Sequence, residues 1–115
     1  MSNETRELIV RTRSVGSAVV LSVSGEVDIV SAPKLSAGVA EALATESTVL
    51  VLDLAEVGFF GSAGLSVLVE ASEASAGRKL RVVASPQVRR PVELTGLDGL
   101  LDVYGTLDEA LATGA

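Results

Sequence analysis

Val49-Leu50-Val51-Leu52-Asp53, followed by Phe59-Phe60-Gly61-Ser62-Ala63-Gly64-Leu65, forms the heart of residues 48–76, around which the chain is organised. An unbroken apolar run suits a strand covered on both faces, as in a parallel sheet. Leu65, Leu68, Val69 and Ser72 then recur at helical spacing. The stretch therefore reads as a buried strand ending at Asp53, a tight loop and a helix. Ser62 falls at the junction, where its hydroxyl is expected to cap the first helix amides. Gly61 and Gly64 are expected to let backbone approach whatever binds there. Phe59 and Phe60, adjacent on extended backbone, point to opposite sides, so one belongs in the core and the other near the loop surface.

Working outward, residues 8–13 and 18–23 are two strands separated by a turn around Gly16, which predicts an antiparallel hairpin. Gly25-Glu26-Val27-Asp28 leaves the second strand. Ser31 with Pro33 marks the start of a helix running to about residue 46, because proline fits the first helical turn. Leu35, Val39, Ala42 and Leu43 fall on its inner face; Lys34, Glu41 and Glu46 should face solvent. Beyond the central stretch, Gly77 is the expected helix terminator and Leu80-Arg81-Val82-Val83-Ala84 the next strand. Ser85-Pro86 opens another helix and Gly96 closes it. Pro91 lies in its interior, where it removes a hydrogen bond and costs about 3 kcal/mol, so a kink or break is expected near Arg90. Residues 100–104 form a short last strand. Thr106 and Glu109 make a capping box for a final helix through about residue 112.

The order is β-β-α-β-α-β-α-β-α, an α/β fold with a mixed, mainly parallel sheet and one antiparallel edge. Function in such sheets gathers at the carboxyl ends of the strands, and the loops holding Asp28 and Ser62 both follow such ends. With 115 residues, 48% of them hydrophobic, the chain reads as one domain, 1–115, with a core of about 7–112. No run approaches the roughly 20 apolar residues that cross a bilayer, and the first seven residues are polar without a signal-peptide core. A soluble, cytoplasmic protein without a membrane partner is expected.

Histidine and cysteine are both absent, which removes the commonest general base, the commonest metal ligand and all thiol chemistry. A net charge of −6 argues against a nucleic-acid partner. The loop 61–64 lacks both the spacing and the lysine of a phosphate-binding loop, and it does not match a Gly-x-Ser-x-Gly nucleophile elbow. No catalytic residue, metal or bound cofactor is expected; a small-ligand carrier is a remote third reading. Asp53 reads as a loop-capping carboxylate. Asp28 either caps the following helix or docks a partner.

The segment 51–68, with Leu54, Phe59, Ser62, Gly64 and Leu65 in place, resembles the phosphoacceptor segment of bacterial anti-anti-sigma factors, the STAS-domain family. Gly25-Glu26-Val27-Asp28, Ser85-Pro86 with Val88-Arg89-Arg90, and Thr95-Gly96-Leu97 agree in order, so the resemblance covers nearly the whole chain. It implies the STAS fold and a non-enzymatic anti-sigma factor antagonist acting in transcriptional stress responses. The implied partner is an anti-sigma factor of the histidine-kinase-type ATPase fold. That partner supplies ATP and magnesium and phosphorylates the serine aligned with Ser62, which ends the complex; a phosphatase would reverse the modification. Asp28, Gly61, Ser62, Ala63, Gly64 and Leu65 are the implied partner-binding residues. The family's usual loop reads Asp-Ser-Ser-Gly-Leu, whereas Gly61 and Ala63 stand here in place of the acid and the second serine. Loss of the acid favours the runner-up, a non-switching STAS scaffold subunit of a larger signalling assembly.

Overall fold

The computed structural model describes residues 7–75 and 80–112. A five-stranded sheet runs in the order β1 (Ile9–Val15), β2 (Ala18–Val27), β3 (Val49–Phe60), β4 (Leu80–Ala84), β5 (Leu101–Tyr104). The hairpin β1–β2 is antiparallel and every other pairing is parallel, as expected from the sequence. Helices α1 (Ala32–Leu43), α2 (Ser62–Ala74) and α3 (Pro86–Leu94) make the crossovers, and α4 (Leu107–Ala112) follows β5. Each crossover steps the same way across the sheet, so right-handed connections must put all three helices on one face. The core agrees. Leu35 and Val39 of α1, Leu68 and Ala71 of α2, and Val88 and Val92 of α3 share one cluster with Leu21, Leu52 and Val82 of the strands. Alternate strand residues Val20, Val51 and Val83 face the other way, where Ala110 of α4 meets them. Two covered faces explain why the central strands are apolar without alternation.

The second layer is small. Arg81 pins it by donating from its guanidinium to the carbonyl of Ala110 at 2.8 Å, placing a cation at the last turn of α4. Away from α4 the second half of β2 alternates, with Ser22, Ser24 and Glu26 half-exposed and Val23, Gly25 and Val27 buried.

Several boundaries differ from expectation, and two bulges account for the largest difference. β2 continues through Val27, and β3 continues past Asp53 to Phe60. Between Ser22 and Ser24 the partner residues on β3 advance from Asp53 to Glu56, and between Gly25 and Glu26 from Val57 to Phe59. Each step inserts one extra residue in β3. The inward positions accordingly become Leu54, Val57 and Phe60, at a spacing of three, which hides a strand from a period-two reading. Asp53 caps no loop end; inside the strand its carboxylate accepts the Ala55 amide at 3.1 Å. β4 no longer accompanies this bulged segment, since its pairing with β3 ends at Leu54 and Ala84. The buried Ser85 hydroxyl instead donates to the Val57 carbonyl at 2.9 Å.

Helix α1 stops at Leu43, short of residue 46. The inner face of α2 is Gly64, Val67, Leu68 and Ala71 rather than the Leu65, Leu68, Val69 and Ser72 set. Helix α3 runs unbroken through Pro91, because Val88 and Val92, fully buried on either side of it, hold the segment to the sheet, and Gln87, whose carbonyl loses its donor, is exposed. Gly96, left-handed at φ 77°, follows it as expected. The expected cap forms in part: Thr106 Oγ1 accepts the Glu109 amide at 3.1 Å, while the Glu109 carboxylate accepts the Gly105 amide, one residue before Thr106, at 3.2 Å. The expected terminator Gly77 lies outside the described residues.

Gly25 sits at φ +110°, and a Cβ there would strike the backbone carbonyl of Glu7. Gly25→Ala is expected to lower stability by about 2 kcal/mol or more in urea unfolding. Gly99→Ala, with open space around it, should stay within about 0.5 kcal/mol.

Candidate functional site

The paired ends of β2 and β3 build the site. Val27 lies opposite Phe60 in the parallel ladder, and the Gly61 amide donates to the Val27 carbonyl at 3.0 Å. The loop 28–31 and the start of α2 therefore leave the sheet side by side. This is how Asp28 and Ser62, 34 positions apart in sequence, come to line one cleft of about 750 Å³. α1 contributes Pro33 and Ser36 to it and α2 contributes Ser66 and Glu70. Pro33 stood out in the sequence only as a helix-start signal, and the other three are unremarkable surface residues until two helices are laid together.

Asp28 and Ser31 fold the first loop on itself. One carboxylate oxygen of Asp28 accepts the amides of Val30 at 3.0 Å and Ser31 at 2.9 Å, with the Ser31 hydroxyl at 3.1 Å. The Asp28 amide donates back to the Ser31 hydroxyl at 3.0 Å, and that hydroxyl also reaches the Glu26 carbonyl at 2.8 Å. The Ser31 amide, then its hydroxyl, hold the Asp28 carboxyl below its ordinary 3.8. Asp28 thus shapes the loop that enters α1, bonding amides that precede the helix rather than those of its first turn. The shaped loop displays Ile29 and Val30, 82% and 83% exposed. Two large aliphatics between turn-forming Asp28 and Ser31 were a signal available in the sequence, since a tight turn leaves them nowhere to bury.

Ser62 is not the helix cap. Gly61 occupies that position with extended dihedrals, and its carbonyl accepts the Gly64 and Leu65 amides at 2.9 and 3.2 Å. Ser62 is the first residue of α2. Its side chain is exposed and has no hydrogen-bond partner among the described residues, whereas the hydroxyls of Ser31 and Ser85, before α1 and α3, are both bonded to backbone carbonyls. Gly64 has a packing role that the sequence did not show. A Cβ on Gly64 would sit 2.8 Å from two ring atoms of Phe60 and 3.0 Å from Val27, so Gly64 is required for core packing, buried and turned away from the cleft. Gly61 and Ala63 line the cleft; Leu65 is half-buried against the core. Phe60 is in the core at 5% exposure and Phe59 is 51% exposed on the rim, as their adjacency required.

The cleft's charged groups are Asp28 and Glu70; among the described residues no lysine or arginine lines it. Lys34, on the same helix as Pro33, extends away to the Leu8 carbonyl at 2.8 Å. Among the described residues no cluster of three potential metal ligands exists. The arrangement offers an exposed hydroxyl at a helix N-terminus, framed by apolar side chains and two carboxylates.

The STAS-domain family model matches residues 10–110. The anti-sigma-F factor antagonist RsfB of Mycobacterium tuberculosis is 43% identical over 94 residues, covering 80% of this chain and 77% of that protein. The anti-sigma-B factor antagonist of Listeria monocytogenes is 33% identical over 84 residues, covering 70% and 74%. Among solved structures, an anti-sigma factor antagonist from Mycobacterium paratuberculosis superposes with a TM-score of 0.82 at 37% identity, covering 92% of each chain. Family match, sequence kinship and superposition agree, and the chain belongs to the STAS-domain family of anti-sigma factor antagonists, which are non-enzymatic regulators.

Proposed function

We propose that this protein is a cytoplasmic antagonist that, unphosphorylated, binds an anti-sigma factor at the Asp28–Ser62 cleft and so frees a sigma factor. Phosphorylation of Ser62 by that same ATPase-type partner ends the complex. The observation that carries the reading is the exposed Ser62 hydroxyl, without a hydrogen-bond partner among the described residues, in the first turn of a 13-residue helix. The first-turn amides of a helix have no intrahelical acceptor and its dipole favours an anion, so the free domain tolerates a phosphate there. In the complex the same dianion, about −1.5 to −2 charges, would face Asp28, Glu70 and the apolar rim of the cleft, whose lining holds no lysine or arginine among the described residues. An uncompensated buried charge costs several kcal/mol, enough to empty the interface. The kinase supplies ATP and magnesium.

One observation favours a second reading, the non-switching scaffold. Gly61 leaves the serine without the carboxylate that the family's loop places beside it. Intact mass after incubation with purified ATPase-type anti-sigma factors, ATP and magnesium separates the two: an adduct lost in Ser62→Ala supports the switch, and its absence from the wild type supports the scaffold. Ser66, one turn further along the cleft, should remain unmodified.

Ser62→Asp is expected to weaken anti-sigma binding at least about a hundredfold. Its melting temperature should move by no more than about 6 °C, because a helix N-terminus favours the charge by about 0.3–1 kcal/mol. Titration calorimetry and scanning calorimetry check the two halves.

Asp28→Asn keeps an oxygen that accepts the loop amides and should retain binding, whereas Asp28→Ala should lose both binding and melting temperature. A carboxyl depressed in the folded state stabilises above its unfolded value and ceases to do so as pH falls through the folded one. The melting-temperature gap between wild type and Asp28→Ala should therefore be full above about pH 3.8 and close below it. Equal loss of binding in Asn and Ala variants would instead assign Asp28 a direct charge contact with the partner.

A further inference from the structure

Phe59 and Gly61 form a coupled pair at the mouth of the cleft. A Cβ built on Gly61 would lie 3.1 and 3.3 Å from two atoms of the Phe59 ring, tighter than ordinary contact, with the Val27 carbonyl at 3.7 Å. The ring rests where a side chain at 61 would begin, and it is still 51% exposed. Ile29, 82% exposed, lines the same cleft from the opposite loop, and Ser62 lies among them. An aromatic ring held against backbone loses little freedom on binding, and such rings, set in well-packed patches, carry a disproportionate share of interface energy. Any protein that reaches the Ser62 hydroxyl must cover this ring and Ile29.

We infer that Phe59, seated on Gly61 and assisted by Ile29, is the specificity-determining anchor of the cleft, and that it selects an anti-sigma factor whose docking surface is apolar where it faces Ser62. The inference rests on the proposed anti-sigma function. It gives Gly61 a positive role: the position is without a side chain so that the ring can occupy it. A side chain at 61 acts on binding through Phe59 and has no independent effect.

A double-mutant cycle tests the pair. Purified ATPase-type anti-sigma factors are titrated with wild type, Phe59→Ala, Gly61→Ala and the double variant, each checked by thermal melting to be folded. Phe59→Ala should weaken binding at least about tenfold and Gly61→Ala several-fold, while in the Phe59→Ala background Gly61→Ala should change it less than about twofold. Ile29→Ser, at an exposed loop tip, should weaken binding without altering the melt and serves where Phe59→Ala fails to fold. Wild-type binding that survives Phe59→Ala or Ile29→Ser unchanged, or full additivity of the two cycle substitutions, overturns the inference and leaves the function standing. Wild type that binds none of the anti-sigma factors overturns the function and this inference with it.

Discussion

The parallel pairing of β2 with β3 is the constraint on which the rest depends. Its last rungs, Glu26 with Phe59 and Val27 with Phe60, are followed by the Gly61 amide bond to the Val27 carbonyl. That register fixes where two chain segments leave the sheet, and so fixes the cleft between α1 and α2. Gly64 completes the junction by letting Phe60 and Val27 pack against the helix backbone at distances no side chain allows. Displacing β3 by one residue would reverse Phe59 and Phe60, burying the rim and exposing the core.

Much of this was legible in the sequence, for identifiable reasons. Hairpin, crossovers and the β4 segment follow from apolar runs bounded by glycine and proline, and buried parallel strands have no competing pattern. Sheet extension past Asp53 was not legible. Two bulges convert the inward spacing from two to three at Leu54, Val57 and Phe60, so the segment resembles a polar loop in any local reading. Pro91 misled in the opposite direction: local propensity predicts a break, and burial of Val88 and Val92 outweighs it.

The site was legible in position and less so in mechanism. Ser62 and Asp28 meet as strand topology demanded, yet their hydrogen bonding differs from the simplest assignment. Three serines precede or open helices. Ser31 is used to shape a loop and Ser85 to satisfy a carbonyl that β3 leaves unpaired beyond β4, which makes the Ser62 hydroxyl, without a hydrogen-bond partner among the described residues, the exception. Asp28 holds the loop that displays Ile29, and both residues line the cleft. Among the described residues the lining carries two carboxylates and no lysine or arginine, which supports the proposed rejection of a phosphate.

The central claim is that the partner covers the cleft built by β2 and β3 and leaves the α4 face untouched. Amide hydrogen exchange of the chain alone and saturated with a purified anti-sigma factor tests it directly. New protection is expected to concentrate in residues 28–36 and 59–70, with α4 and β1 exchanging as in the free protein. Protection concentrated on α4, or on β1 and the open half of the opposite sheet face, would contradict it.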